Sequence, residues 1–343
     1  MRVEPATLRV VEASGGPRER GRRVGSALAP EIERSLAFYA EYFGRRGIDV
    51  EAAATPYLAA AEASLPVLVE QIRGMAEGAG VPFAELFAVN AFEEIDEDPP
   101  ERCSTFTAVV PGATILAHNE MWLAGDAGNV ALVVERTDDG PAIASMSSVC
   151  CLPAVGVNSH GAAQGIDSLA ASTDRVGVPR VLVSRHSLDA RDPADATARA
   201  ALPGRAGGYA HVLAFRGGET LTLETTAERS AAVPRPGHAN HYLDPELAVE
   251  GDEPSAGSTA RQARLDELLA ERPPEAPEDA MVILSDHAGG PQMLCHHADP
   301  ADGDEASAVI FSLVAELESG RLWVAPGNPC ETAYEEVAFP DVD

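Results

Sequence analysis

Glu101-Arg102-Cys103-Ser104-Thr105-Phe106 marks the point at which the periodicity of the chain changes. Upstream, apolar residues recur three and four apart; downstream, they alternate or run in short blocks closed by Gly, Pro and Asp. A cysteine at that seam opens a strand and is followed by small hydroxylated residues. It reads either as a small buried hydrophobe or as a nucleophile made by cutting the chain just before it.

Toward the N-terminus, residues 8–11 read as a short strand ending at Gly15-Gly16-Pro17. Val24, Leu28, Ile32, Leu36, Tyr39 and Phe43 then fall at helical spacing, and Pro30 either kinks that helix or begins a second one. The next helix opens near Thr55-Pro56, a cap followed by a first-turn proline. It buries Leu65, Leu68, Ile72 and Met75 and stops at Gly78-Ala79-Gly80. A third helical stretch covers residues 83–94 and runs through an acidic turn into Pro99-Pro100.

Beyond Cys103 the pattern predicts strands at 105–110, 114–118, 130–135, 142–146, 154–158, 162–166, 209–215 and 220–225, with closing strands at 308–316 and 321–324. Pro111-Gly112, Ser159-His160-Gly161 and Arg216-Gly217-Gly218 supply turns, and residues 234–238 read as a loop. Helices are expected at 178–188, 193–201, 260–271 and 278–285. Helices first, then many strands, then helices and strands again describe a layered α+β fold.

Composition narrows the partners. A formal charge of −29, with 25 cationic residues that are all Arg, repels phosphate backbones and anionic lipid, so nucleic acid and membrane are excluded as partners. No run reaches the roughly 18–20 apolar residues of a membrane span, and the first residues lack a secretory leader's cationic start and apolar core. Five cysteines without CxxC spacing point to reduced thiols and a cytoplasmic location, with Cys150, Cys151, Cys295 and Cys330 read as packing.

Four constellations compete for the chemistry. Cys103 has polar company downstream in Asn119, Glu120 and Asn240, and a thiol needs both a proton acceptor and an oxyanion donor such as an Asn amide. His238, His241, Asp286, His287, Cys295, His296, His297 and Asp299 carry zinc-binding atoms, although no HExxH spacing unites them. A serine hydrolase lacks its GxSxG elbow, and the glycine clusters lack nucleotide-binding patterns.

Several segments, in order, resemble the acyl-coenzyme A:6-aminopenicillanic acid acyltransferase family of cysteine N-terminal-nucleophile hydrolases. They are residues 16–25, 70–81 and 87–93, then Cys103-Ser104-Thr105, Ala117-His118-Asn119-Glu120-Met121-Trp122, Val157-Asn158-Ser159-His160-Gly161, Leu223-Glu224-Thr225-Thr226 and His238-Ala239-Asn240-His241-Tyr242-Leu243. The resemblance implies a four-layer αββα sandwich. Residues 1–102 would form a helical N-terminal segment, an α-subunit or propeptide made by self-cleavage, and 103–343 the catalytic part of one integrated fold. It also implies a Cys103 thioester, with Asn240 as oxyanion donor, Asn119, Glu120 and Thr226 as supporting polar groups, and a substrate held by Met121, Trp122, Asn158, His160 and His296. The expected partners are a small-molecule acyl donor or acceptor and, in a homo-oligomer the resemblance allows, further copies of the chain, with no cofactor and no metal. The alternatives are an uncleaved, non-hydrolytic binding scaffold and, more remotely, a zinc hydrolase. Three positions depart from the family pattern. Arg102 stands where Gly usually precedes the nucleophile, Met121 where many relatives carry Asp, and His296 follows Cys295 where relatives often have Arg.

Overall fold

The computed structural model describes residues 7–96, 103–138 and 140–338. Glu101 and Arg102, and with them the peptide bond expected to be cut, lie outside the described residues. Before the seam the chain forms β1 (Val10–Gly15), α1 (Pro17–Ala27), α2 (Ala29–Arg46), α3 (Val50–Ser64), α4 (Pro66–Ala79), α5 (Phe83–Val89) and α6 (Phe92–Ile95). After it come β2 (Ser104–Val110), β3 (Ala113–Leu123), β4 (Val130–Thr137), β5 (Ile143–Ser148), β6 (Val155–Asn158) and β7 (Ala162–Leu169). Next are α7 (Arg180–Ser187), α8 (Pro193–Ala200), β8 (Gly208–Phe215), β9 (Glu219–Thr225), β10 (Ser230–Val233) and β11 (Gly237–His238). The chain closes with α9 (Ala256–Glu271), α10 (Pro277–Leu284), β12 (Ser307–Glu316), β13 (Arg321–Ala325) and β14 (Glu335–Ala338).

Pro30 begins a second helix, sitting in the first turn of α2. The helix expected to open at Thr55-Pro56 is in fact two. Asp49 caps α3 by accepting from Ala52 N, Pro56 lies inside α3, and a second proline, Pro66, starts α4. Gly80 ends α4 with a left-handed φ of 72°. The segment read as a loop at 234–238 contains the two-residue strand β11.

The strands form two sheets, an eight-stranded one ordered β1-β4-β5-β6-β7-β8-β9-β10 and a six-stranded one ordered β11-β2-β3-β12-β13-β14. β1 runs parallel to β4, so the helical N-terminal segment contributes the edge of the larger sheet. Alternation along β4 separates two cores. Ala131 and Val133 face a cluster with α1, α2, α4 and α5, while Val130, Leu132 and Val134 face a cluster with Leu116, Phe311 and Leu313 of the smaller sheet. On the far side of the smaller sheet, Phe106, Ile115 and Ala117 pack on Leu265 of α9 and Ile283 of α10. The result is a mixed α+β fold whose two sheets face each other. Among the described residues no helix is long and apolar enough to cross a membrane.

Helices α1 and α4 approach backbone to backbone through four glycines. A Cβ on Gly21 or Gly25 would stand 2.0 Å from the carbonyl oxygens of Gln71 and Met75, and one on Gly74 or Gly78 would stand 2.1 Å from those of Arg18 and Arg22. Neither side can yield without parting the helices. Gly21→Ala and Gly74→Ala are therefore each expected to cost about 1–3 kcal/mol in urea unfolding. Gly44→Ala, on α2 with open space around it, should instead gain a few tenths to about 1 kcal/mol from helix propensity. Equal effects at the two kinds of position would contradict the close-packing argument.

Candidate active site

The hairpin β2–β3 sets the geometry. Val110 pairs with Ala113 across Pro111-Gly112, and Gly112 adopts the positive φ (82°) that such a turn needs after proline. That turn fixes the register, pairing Thr105 with His118 and Ser104 with Asn119, and so brings Cys103 level with Glu120. The Cys103 thiol lies 3.4 Å from Glu120 Oε1 and 3.9 Å from the Met121 carbonyl oxygen. The other carboxylate oxygen of Glu120 is 3.1 Å from His118 Nε2, and His118 Nδ1 is 2.8 Å from Thr105 Oγ1. With the proton on Nε2, the imidazole donates to Glu120 and accepts from the Thr105 hydroxyl. The result is a continuous polar chain from thiol to carboxylate to imidazole to hydroxyl.

A second carboxyl faces this chain. Gly165 on β7 lets the larger sheet approach closely, since a Cβ there would meet Thr105 Cγ2 at 2.4 Å. Two residues on, Asp167 shares that face. It is fully buried, and neither carboxyl oxygen has a hydrogen-bond partner of good geometry among the described residues. Burial pushes the Asp167 carboxyl well above the usual carboxylate range, against the weaker pull of the Thr105 hydroxyl and the Arg261 guanidinium. Burial likewise raises the Cys103 thiol well above its ordinary value, and the Glu120 and Asp167 carboxyls push it further.

Helix α9 supplies the third component. Ser255 caps it, and Ser258 and Arg261, one turn apart, both point into the protein. Arg261 donates to the Cys103 carbonyl, to Ser104 Oγ (3.0 Å) and to Asn240 Oδ1 (2.9 Å). Ser258 Oγ accepts from Asn240 N (2.9 Å) and lies 2.8 Å from His241 Nδ1. The Asn240 amide in turn donates to the Ser168 carbonyl (3.1 Å).

Two cavities meet here. An inner chamber of about 60 Å³ is lined by Cys103, Glu120 and Trp122 together with the apolar side chains of Met146, Ile166 and Phe311. An outer cleft of about 700 Å³ is polar and includes Asn240, His241 and His296. Glu93 lines both, held by hydrogen bonds from Ser168 and Tyr209.

The acyl-coenzyme A:6-aminopenicillanic acid acyl-transferase family matches residues 110–331, well over half of the chain. The chain belongs to this family. The match opens at the end of β2 and includes Glu120, Asp167, Asn240 and Arg261, while Cys103 precedes it. Among solved structures, a mutant of the conjugated bile acid hydrolase from Clostridium perfringens shares 9% identity, over 70% of this chain and 97% of its own, with a TM-score of 0.45. A second variant of that hydrolase gives 10%, 70%, 98% and 0.47. Penicillin V acylase from Agrobacterium tumefaciens gives 13%, 70%, 88% and 0.46. No curated protein matches the chain.

In this acyltransferase-family chain, the expected site residues divide into two groups. Cys103, Glu120 and Trp122 meet in the inner chamber, with Trp122 Nε1 donating to Tyr39 OH at 2.6 Å, and Asn240 and His296 line the outer cleft. The others have structural duties elsewhere. Asn119 spends its amide on the Leu284 and Leu294 carbonyls, pinning α10 and the following loop to β3. Thr226 accepts from Glu228 N and Arg229 N in the turn before β10. Asn158 staples its hairpin to the Leu188 and Ala190 carbonyls, beside an exposed His160. That hairpin lies beyond Ala162, five residues or about 16 Å along β7 from Asp167. Met121 is fully buried and lines neither cavity.

Arg261, Ser258 and Asp167 were absent from the sequence reading. A signal existed for Arg261, which shares the buried stripe of α9 with Leu265 and Leu268, where a lone guanidinium needs a reason to be. The broad zinc set proposed from sequence is split by the fold. His238 Nε2 pairs with Glu224 (2.8 Å) and His241 with Ser258, while His287, Cys295 and His297 gather elsewhere with Cys330. Cys103, His118 and Glu120 also lie close enough together to share an ion.

Proposed function

We propose that the protein is a cysteine amidohydrolase or acyltransferase of the N-terminal-nucleophile type, with its layers forming an αββα sandwich and its mature form made by cleavage between Arg102 and Cys103. The observation that carries this reading is the Cys103 thiol, set immediately before β2, opening on a chamber and touching the carboxylate of the Glu120–His118 pair.

In the intact chain Glu120 takes the thiol proton, the sulfur attacks the preceding carbonyl carbon, and the C–N bond breaks as the acyl group moves to sulfur and the proton passes from Glu120 to the leaving nitrogen. Water then opens that thioester and leaves a free α-amino group on Cys103. That amine, with a reference pKa of about 7.7–8.0, becomes the base for its own thiol. The sulfur next attacks the substrate's acyl carbon, and the proton passes to the departing amine. Water or a second amine resolves the new thioester. The raised thiol of the buried, uncut chain fits a nucleophile that needs this base. Asn240, oriented by Arg261, serves as a hydrogen-bond donor to the developing oxyanion. Asp167, buried beside Thr105 just outside the chamber lining, is the second donor in its acid form, which its burial favours.

Asp167 makes this testable by pH. Its acid form donates and its carboxylate does not, so turnover should fall as pH rises through its raised pKa. Asp167→Asn keeps a donor at all pH and should stay within about tenfold of wild type while losing that alkaline limb, whereas Asp167→Ala should lose about 10²–10³-fold in kcat. An unchanged alkaline limb in the Asn variant would remove Asp167 from this role.

Cavity shape supports one substrate class. At about 10–15 Å³ per water-sized sphere, the inner chamber accepts roughly four to six heavy atoms, a short apolar acyl group. The outer cleft carries nine carboxyls against three guanidiniums, which favours a cationic amine half. The experiment is a panel of short-chain and long-chain N-acyl diamines and N-acyl amino acids, read for Cys103-dependent turnover alongside an intact mass spectrum. Short-chain acyl diamines should lead by at least about tenfold in kcat/KM. A single uncut species with no turnover on any member would return the protein to the binding-scaffold reading.

A further inference from the structure

His287, Cys295, His297 and Cys330 present their ligand atoms within 4.8 Å of one another. We propose that they form a structural zinc site that ties the loop after α10 to the loop between β13 and β14. The proposal stands apart from the chemistry of Cys103.

Zinc bound at about 2.3 Å to sulfur and 2.0–2.1 Å to nitrogen in a tetrahedron requires its ligands to lie roughly 3.3–3.8 Å apart. The observed edges bracket that range. His287 Nε2 and His297 Nε2 are 2.9 Å apart, Cys330 Sγ is 3.2 Å from His297 Nε2, and Cys295 Sγ is 3.8 Å from it. Two thiolates and two neutral imidazoles cancel the dication's charge, so the site places no net charge in the loop region. Binding releases the two thiol protons to solvent.

The surroundings are built for this set. Asn328 donates to Cys295 Sγ at 3.5 Å and to the His296 carbonyl at 2.8 Å, the kind of outer hydrogen bond that orients a thiolate ligand. Cys295 N donates to the Asp286 carbonyl and His297 N to the Pro291 carbonyl, folding the loop so that residues eight and ten apart in sequence converge. Arg264 holds Asp286 at the base of that loop (2.8 Å). All four positions are filled by protein, so no vertex is open for water or substrate, and the site is structural rather than catalytic. The same loop carries the Leu294 carbonyl that Asn119 grips and the His296 that lines the outer cleft, so the metal would fix one wall of that cleft. Only one pair, Cys295 and His297, falls close in sequence; the set spans 44 residues from His287 to Cys330 and matches no finger-type spacing.

The test is metal analysis of the full chain purified without chelator, with cobalt(II) exchange as a second readout. About one zinc per chain is expected, together with thiolate-to-cobalt charge transfer after exchange. Cys330→Ala, at an exposed ligand, should lose most of the metal and weaken the charge-transfer band, and chelation of the wild type should lower its Tm. Cys103→Ala should retain the metal in full. Three outcomes would overturn the proposal: a folded wild type that takes up neither zinc nor cobalt, an intact mass short of two hydrogens showing Cys295 and Cys330 bridged, or zinc lost in Cys103→Ala and kept in Cys330→Ala. The last would move the ion to Cys103, His118 and Glu120 and so would also bear on the amidohydrolase reading, whereas the first two would leave that reading intact.

Discussion

Cys103→Ala is expected to lower amide turnover by about a millionfold, close to the background reaction, because the proposed mechanism makes its thiol the nucleophile on which every other group depends. The fold should survive. The thiol is one small group in the chamber lining, and its loss leaves Glu120 still paired with His118 at 3.1 Å, so the destabilisation should stay at about 1–2 kcal/mol. The same variant should run as one uncut species in an intact mass spectrum, since the proposed self-cleavage needs the Cys103 sulfur. Cys103→Ser separates the two steps: a hydroxyl retains some capacity for the slow self-cleavage and loses most of the turnover, being the poorer nucleophile at neutral pH. Wild-type kcat/KM in Cys103→Ala, measured on a protein with native circular dichroism, would sink the mechanism.

Much of the fold could be read in the sequence because its buried strands form short apolar blocks and its turns are chemically explicit. Pro111-Gly112 and Arg216-Gly217-Gly218 announced their hairpins, and the periods of β2, β8 and β12 located those strands to within a few residues. The errors have physical causes. α3 is alanine-rich with only Ala54 and Ala61 buried, so it carries no large apolar period to mark its start. β14 is an edge strand of mostly exposed residues, Glu335 and Glu336 among them, and resembles a solvated loop.

The site was half legible for a different reason. Cys103, Glu120 and Trp122 sit on one hairpin, where local register brings them together, and sequence order alone approximates that. Arg261 reaches Cys103 across 158 positions, and Asp167 meets Thr105 only because two sheets pack face to face. Asn119, Asn158 and Thr226 show the converse problem. A buried polar side chain reads the same in sequence whether its hydrogen bonds go to a substrate or to the backbone of a neighbouring loop, and here they go to the backbone.

Arg261 carries the second large expected effect, because one buried guanidinium orients three parts of the site at once. Its loss in Arg261→Met leaves the Cys103 carbonyl, Ser104 Oγ and Asn240 Oδ1 without this donor. Leaving these buried acceptors unsatisfied is expected to cost about 3–5 kcal/mol in urea unfolding, the scale of breaking a buried charged contact. Arg261 touches the Cys103 backbone and the Asn240 amide and lines neither cavity, so the role proposed for it is that of a positioning residue. Its removal should depress kcat by about 10²–10⁴-fold with KM changed far less. Arg261→Lys should recover part of the stability and little of the kcat, since a single ammonium cannot span acceptors on β2 and on the Asn240 loop together. A pH profile distinguishes this role from a merely structural one. The guanidinium favours the ionised form of Asp167, so removing it lets that carboxyl hold its proton to higher pH. The residual activity of Arg261→Met should then keep its alkaline limb at a higher pH than wild type, in the direction opposite to a general loss of structure. Wild-type kcat in Arg261→Lys, or an alkaline limb that moves to lower pH in Arg261→Met, would show that the clamp does not govern the nucleophile's surroundings.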